Sequence, residues 1–166
     1  MSILKLMTYP QDRLADRLLY IWKINETNPY NRLALYCLPS DMYQRVIENK
    51  YYWGQDFGVG FFHIVIRFDE TTDRKVPKRE IILAAGELIN TVAHFNGGYY
   101  YSVLSIHQVS PESMPHFHLI MDNVDFLNGK RLRMTKTYLY LLKNNINELL
   151  KKHNITEIRM KKDQTG

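Results

Sequence analysis

The sequence predicts an α+β domain, an antiparallel sheet with helices packed on one face. Segments that alternate apolar and polar residues and segments with apolar residues at helical spacing follow one another in the order β, α, β, α, β, β, α. The last two strands are joined by a loop of eight residues between His107 and His116, which reads as a wide hairpin. A chain of 166 residues, 45% hydrophobic and 23% charged, is the right size for one such domain and too short for two well-packed ones. The expected domain runs over 1–160, and a polar tail follows at 161–166.

Ile3 to Thr8 is a short apolar run stopped by Tyr9-Pro10, as expected of a first strand. Pro10 then opens a helix over Gln11 to Ile24, in which Leu14, Leu18 and Ile21 make the buried stripe. Tyr20 lies about 130° from the centre of that stripe, at roughly 100° per residue, and is free to point elsewhere. Residues 25–59 are mixed and rich in turn formers, with one short helix expected from Asp41 to Asn49. In Phe61 to Phe68, residues Phe62, Ile64, Ile66 and Phe68 alternate with His63, Val65 and Arg67, so one face is core and the other carries polar groups. Pro77 starts a helix to about Phe95, with Ile81, Ala84, Ala85, Leu88 and Val92 inward, and Asn96-Gly97-Gly98 stops it. Strands follow at Tyr99 to His107 and His116 to Val124, and Asn128-Gly129 marks a turn. Thr135 caps the last helix, which buries Leu139, Leu142, Ile146 and Leu149.

Charge and composition narrow the function. With 22 Lys+Arg against 17 Asp+Glu the net charge is +5, which favours polyanionic partners. The single cysteine, Cys37, excludes a disulfide framework and any multi-cysteine metal site, so a metal here takes His and carboxylate ligands. No stretch reaches the roughly 20 apolar residues that span a bilayer, and no signal-peptide pattern opens the chain, so a cytoplasmic protein without a membrane partner is expected. Tyrosine, at 12 copies, and histidine, at 6, stand out.

Chemistry concentrates in the segment His107 to Asp122. Alternation puts His116 and His118 on one face of their strand with Ile120 and Asp122, while Phe117, Leu119 and Met121 enter the core. His107 ends the partner strand, and the hairpin brings it beside the pair. Three neutral imidazoles on a rigid sheet form a divalent-cation site able to polarise a phosphodiester. The same spacing also suits solvated or hydrogen-bonded structural histidines. A tyrosine can serve as nucleophile toward a DNA phosphate, forming a phosphotyrosine ester. Tyr20 is one candidate, and Tyr140, in the YxxK arrangement Tyr140-Leu-Leu-Lys143, is the other. A phenol, with a pKa in water of about 10, needs a base or a neighbouring cation to ionise, and Arg67 and Lys23 are the cations that could supply that field. Tyr99, Tyr100 and Tyr101 offer rings for stacking on bases where they face outward.

Taken in order, these residues resemble the relaxase/mobilisation nucleases, the HUH endonucleases that nick plasmid or conjugative-element DNA, in particular the MobP-type branch. Tyr20-Ile21 with Thr27 is similar to the family's opening motif. His63-Ile64-Val65-Ile66 leading to Arg67-Phe68 resembles its next strand, with Arg67 in place of a Ser. Pro115-His116-Phe117-His118 looks like the close of its histidine triad, and Asn123 to Leu132 like the Asn-rich strand end and Gly-Lys turn that follow. The similarity runs from about Ile3 to Ile158. It departs at Val109, where the family usually has an Asp, and in a loop longer by about two residues.

The resemblance implies an HUH palm-like fold and a relaxase that nicks single-stranded DNA at an origin of transfer by metal-assisted transesterification. Tyr20 is then the nucleophile, and His107, His116 and His118 hold a divalent ion, Mn or Mg. An acid to orient a ligand has to come from Glu112, Asp69 or Asp122. Arg67, Lys130, Arg131 and Arg133 are expected to contact DNA phosphates. Other proteins of the transfer complex are implied partners. The alternatives are a replication initiator or transposase of the HUH class using Tyr140, and a non-catalytic DNA-binding relative.

Overall fold

The structure, a computed structural model, describes residues 1–23, 31–108 and 112–160. Thr27, Val109, the side chain of Lys23 and the tail 161–166 lie outside the described residues. No helix among the described residues is long and apolar enough to cross a membrane.

Among the described residues five strands form one antiparallel sheet: β1 (Ile3–Pro10), β2 (Arg32–Leu35), β3 (Val59–Arg67), β4 (Ser102–His107) and β5 (His116–Asp122), in the order β1-β3-β5-β4-β2. The helices are α1 (Leu14–Lys23), α2 (Met42–Trp53), α3 (Lys78–Ala93) and α4 (Lys136–Lys152). A 3-10 turn at Gln11–Arg13 stands between Pro10 and α1, so the expected helix starts one turn late. The short helix expected at Asp41–Asn49 continues to Trp53, where Gly54 takes the left-handed conformation that ends it. Thr135 caps α4 as its position implies, its side chain accepting from the Tyr138 backbone N–H at 3.1 Å.

The edge strand β2 is the element that the sequence pattern does not reveal. It has only four residues, too few for alternation to register, and its pairing with β4 is a tertiary contact.

The α+β class and the antiparallel sheet are as expected, but helices cover both faces rather than one. On one face Phe62, Ile64, Ile66, Leu104, Ile106, Phe117, Leu119 and Met121 pack against the inward stripes of α3 and α4. On the other, the stripe Leu14, Leu18 and Ile21 of α1 joins Met42 and Val46 of α2 over Phe61, Val103 and Ile120. The physical reason is that the second face is apolar at one end, and an amphipathic α1 has to bury its stripe somewhere. Each fully buried Leu or Ile contributes about 1.5–3 kcal/mol relative to exposure. Gly60 permits the close docking: a Cβ there would lie 2.4 Å from the Gln11 backbone nitrogen.

Candidate active site

The register places four rows of side chains across the half-covered face. His107, His116 and Arg67 share the first row, and Ser105, His118, Val65 and Lys5 the second. Val103, Ile120, His63 and Met7 make the third, and Asp122 and Phe61 belong to the fourth. Helices α1 and α2 cover Val103 and Ile120 of the third row and Phe61 of the fourth. The three triad imidazoles stand in the first two rows, His107 and His116 part-exposed and His118 buried.

One ring nitrogen from each of His107, His116 and His118 lies within 4.8 Å of the others, a grouping able to hold a metal ion. His107 Nδ1 and His116 Nε2 are 2.7 Å apart. Burial lowers the pKa of His107, and it lowers His116 to about 4 and His118 to about 3, with the Arg67 charge and neighbouring rings pushing further in the same direction. The rings are therefore neutral near pH 7, the form that donates a lone pair to a cation. The donor set fits a divalent transition ion, because neutral nitrogens fixed on two adjacent strands leave the solvent side open.

His63 joins this group, a residue that the sequence reading did not place in the site. Its ring is buried, and its Nε2 lies 3.0 Å from His118 Nδ1. Burial, then the Arg17 charge, lowers its pKa to about 4. The signal was present in the alternation of β3, which puts His63 on the polar face, but which histidine it meets depends on the β3–β5 register.

Tyr20 is 47% exposed and leans over these rings from α1. Its ring centroid is 5.7 Å from that of His118 and 6.4 Å from that of His63. A cavity of about 370 Å³ opens here, lined by Tyr20, His63, His118 and the cations Lys5, Arg17 and Arg67. Arg17, one turn before Tyr20, holds its guanidinium carbon 4.5 Å from the Tyr9 ring centroid and 6.0 Å from that of Tyr20. Sequence reasoning named Arg67 for this role and passed over Arg17, which an i, i+3 spacing from Tyr20 could have suggested. Tyr140 is exposed on α4, and the inward stripe of α4 packs on the opposite face of the sheet from the imidazoles.

The three acids expected near the ligands are placed elsewhere. Asp122 is the clearest correction. It is fully buried, its Oδ1 2.6 Å from Lys50 Nζ, and it accepts from Asn49 Nδ2 at 2.8 Å. Its position four residues beyond His118, about 13 Å along the strand, puts it out of reach of the triad. The Asp69 carboxylate is taken up by the Met1 amino group and by Thr71 and Thr72, which hold its pKa well below the usual range. Glu112 is exposed and lines a different cavity with Arg74, Lys78 and Ile82.

Arg131 is also a correction. Its guanidinium donates to Gln55 Oε1, Gln55 O and Val59 O and lies over the Phe57 ring, so it braces the loop before β3. Lys130 and Arg133 are exposed, but they follow the opposite end of β5 from His116. Tyr100 is buried in the main core, while Tyr99 and Tyr101 are partly exposed.

An antiparallel sheet bearing three converging imidazoles, with a helix laying a tyrosine over one of them, defines an α+β fold of the HUH relaxase type. The chain belongs to the relaxase family, matching the MobA/VirD2-like nuclease domain over residues 20–155. That span contains Tyr20 and all three triad histidines.

Among solved structures the fold is shared with the MobM relaxase domain, of the MOBV class. One such structure is bound to 22 nucleotides of the plasmid pMV158 origin of transfer and is Mn-bound at pH 5.5. It has a TM-score of 0.67 and 14% identity over 99% of this chain and 93% of that one. A second, bound to a 26-nucleotide origin, has a TM-score of 0.64 and 18% identity over 99% and 92%. At these identities the likeness is one of fold, and the MobP-type branch rests on the sequence motifs alone. No curated protein matches the sequence.

Proposed function

We propose that this protein nicks single-stranded DNA at an origin of transfer, using Tyr20 as nucleophile and a divalent ion held by His107, His116 and His118. The observation that carries the reading is the meeting of Tyr20 with His118, a member of the triad, over one cationic cavity. Solved MobM relaxase domains of the same fold are Mn-bound and complexed with origin DNA, which supports both the metal and the polymer.

In this mechanism Lys5, Arg17 and Arg67 attract the phosphodiester and hold it beside the phenol. Tyr20 Oη forms a bond to phosphorus as its proton passes to solvent water. The bond from phosphorus to the 3′ oxygen breaks, and that oxygen takes up a proton to become a free 3′-hydroxyl. The 5′-phosphate stays on Tyr20 as an ester, and reversal by a later 3′-hydroxyl rejoins the strand. Arg17 and Arg67 offset the negative charge that develops on the phosphate oxygens. When bound, the ion supplies Lewis-acid polarisation of the scissile phosphate. The nearest candidate for orienting a ligand is His63: with His118 donating from Nδ1 to His63 Nε2, the Nε2 lone pair of His118 faces the triad.

The test is covalent capture. Incubating the protein with single-stranded origin DNA and Mn should give a protein–DNA adduct that survives denaturing electrophoresis and disappears with a chelator. Binding without any adduct, unaffected by chelator, points instead to the non-catalytic relative.

The His63 contact predicts a metal effect without loss of the fold. His63→Ala should weaken Mn binding, read by calorimetry, by about 10–100-fold, the usual cost of removing a partner of a ligating histidine. His63→Gln, whose amide oxygen can accept, should recover part of the loss. Unchanged affinity in His63→Ala defeats this role.

The buried rings also predict a pH dependence. His63 and His116 are lowered from 6.5 to about 4 and His118 to about 3, so the unfolded chain binds more protons between pH 6.5 and about 4. Their contribution to stability is complete above pH 6.5 and is lost as the pH falls toward 4. The thermal midpoint of the metal-free protein should be lower at pH 5 than at pH 7. Mn affinity should fall less steeply between pH 7 and 5 than at a site of ordinary imidazoles, which begin to lose the ion near pH 6.5.

A further inference from the structure

We infer that the groove between α2 and the Tyr101–Phe126 ring stack is a second DNA surface, where bases of the single strand stack. It depends on the proposed reading for its ligand class but not on nicking. The groove encloses about 620 Å³, and its aromatic lining is Tyr51, Tyr52, Trp53, Tyr101 and Phe126, with Arg45 beside them. Tyr101 and Phe126 stack at 4.6 Å with 22° between planes, which makes one flat wall. On the other side Tyr52 meets Trp53 edge-on at 4.9 Å. Tyr51 and Tyr52 are 83% and 78% exposed, so neither is part of the core.

The groove is held rigid from beneath. Trp53 sits so close to Gly129 that a Cβ there would come within 2.4 Å of its ring, which fastens α2 to the turn that carries Phe126. That turn is fixed in its own right, since the Asp125 carboxylate accepts from the backbone N–H of Leu127 and Asn128. Asn49 and Lys50 of α2 bond Asp122 and Asn123 below. Rigid rings bind at little ordering cost.

Charge and position favour a nucleic acid. Arg45 faces the groove and Lys130 is exposed in the turn beside it, within a chain of net charge +5. Glu48, the acid of the lining, accepts from Gln44 Nε2 at 2.6 Å. Aromatic rings interleaved with cations are the usual platform for single strands. The Tyr101 backbone carbonyl accepts from Asp122 N–H, and the Tyr101 side chain packs with Phe61 and Ile120 on the triad's face of the sheet, about 13 Å along β5 from His118. A single strand that passes over α1 and α2 can occupy both.

The probe is oligothymidylate of about 24 nucleotides, since stacking tolerates any base. In a Trp22→Phe background, which leaves Trp53 as the reporter, the oligomer should quench fluorescence. Tyr52→Ala, at an exposed position, should weaken this binding about tenfold, and the same change at Tyr51 should weaken it less. Tyr20→Phe should retain the quenching. A strand of abasic deoxyribose phosphates of equal length should bind more weakly than oligothymidylate. Equal binding of the two strands, or full quenching in a Tyr52→Ala, Tyr51→Ala double variant, overturns the proposal. So does a dimer seen by sedimentation that Tyr52→Ala dissolves while oligothymidylate binding is unchanged. Quenching of the protein with Tyr20 intact, together with no adduct on origin DNA in the presence of Mn, removes the nicking mechanism and supports this surface.

Discussion

Replacing Tyr20 by Phe should abolish the covalent protein–DNA adduct, while Tyr140→Phe forms it at the wild-type level. The substitution removes one oxygen and leaves the ring that packs near His118 and His63. The position is about half exposed, so stability should stay within about 0.5 kcal/mol of wild type. Loss of a covalent nucleophile costs on the order of 10⁶ in rate, which an adduct gel reads as complete absence. Mn binding should be unchanged, because the triad nitrogens converge without the phenol. An adduct that persists in Tyr20→Phe and vanishes in Tyr140→Phe would transfer the chemistry to α4, across the sheet from the imidazoles, and would reject the mechanism proposed above.

Asp122→Ala should destabilise the fold by about 3–5 kcal/mol, a large part of the roughly 5–15 kcal/mol that holds a typical domain. Lys50 and Asp122 are both fully buried and 2.6 Å apart. Burial lowers the lysine pKa and raises that of the aspartate, while their mutual attraction and the bonds from Asn49 and the Asn123 backbone oppose that shift. Removing the carboxylate leaves an ammonium stranded in the interior. Replacing both, as Lys50→Met with Asp122→Leu, removes both desolvation costs and should be far milder than either single change. Urea denaturation measures the difference. A cost below about 1 kcal/mol for Asp122→Ala would mean that the pair is not held as the structure shows.

How much of the site was readable follows from where its residues sit. His116 and His118 were legible as a pair because a strand alternates, and two positions apart always means one face. His107 was legible because a hairpin brings its two strands together. The exposure of Tyr20 came from helical phase. His63 and Arg17 were not recognised, since their partners lie on other elements. Asp122 and Arg131 misled for the same reason: a carboxylate on the right face and an arginine in a basic turn look available, and only packing shows that Lys50 and the Gln55–Val59 loop already claim them. The helices were expected on one face because the polar alternation of β3 suggested a solvated surface; Phe61, Val103 and Ile120 at one end of that surface gave α1 and α2 a place to bury their stripes.

The sequence by itself determined the α+β class, the antiparallel hairpin that joins two histidine strands and the outward phase of Tyr20, which depend on periodicities within single segments, and the family resemblance, which depends on the order of motifs along the chain. The tertiary structure decided which end of the sheet stays open, that β3 brings His63 against His118, and that α1 lays Tyr20 and Arg17 over the same cavity. These depend on strand register and on how helices share two faces of one sheet. Both are set by the summed burial of many distant side chains, and no local window of sequence contains that sum.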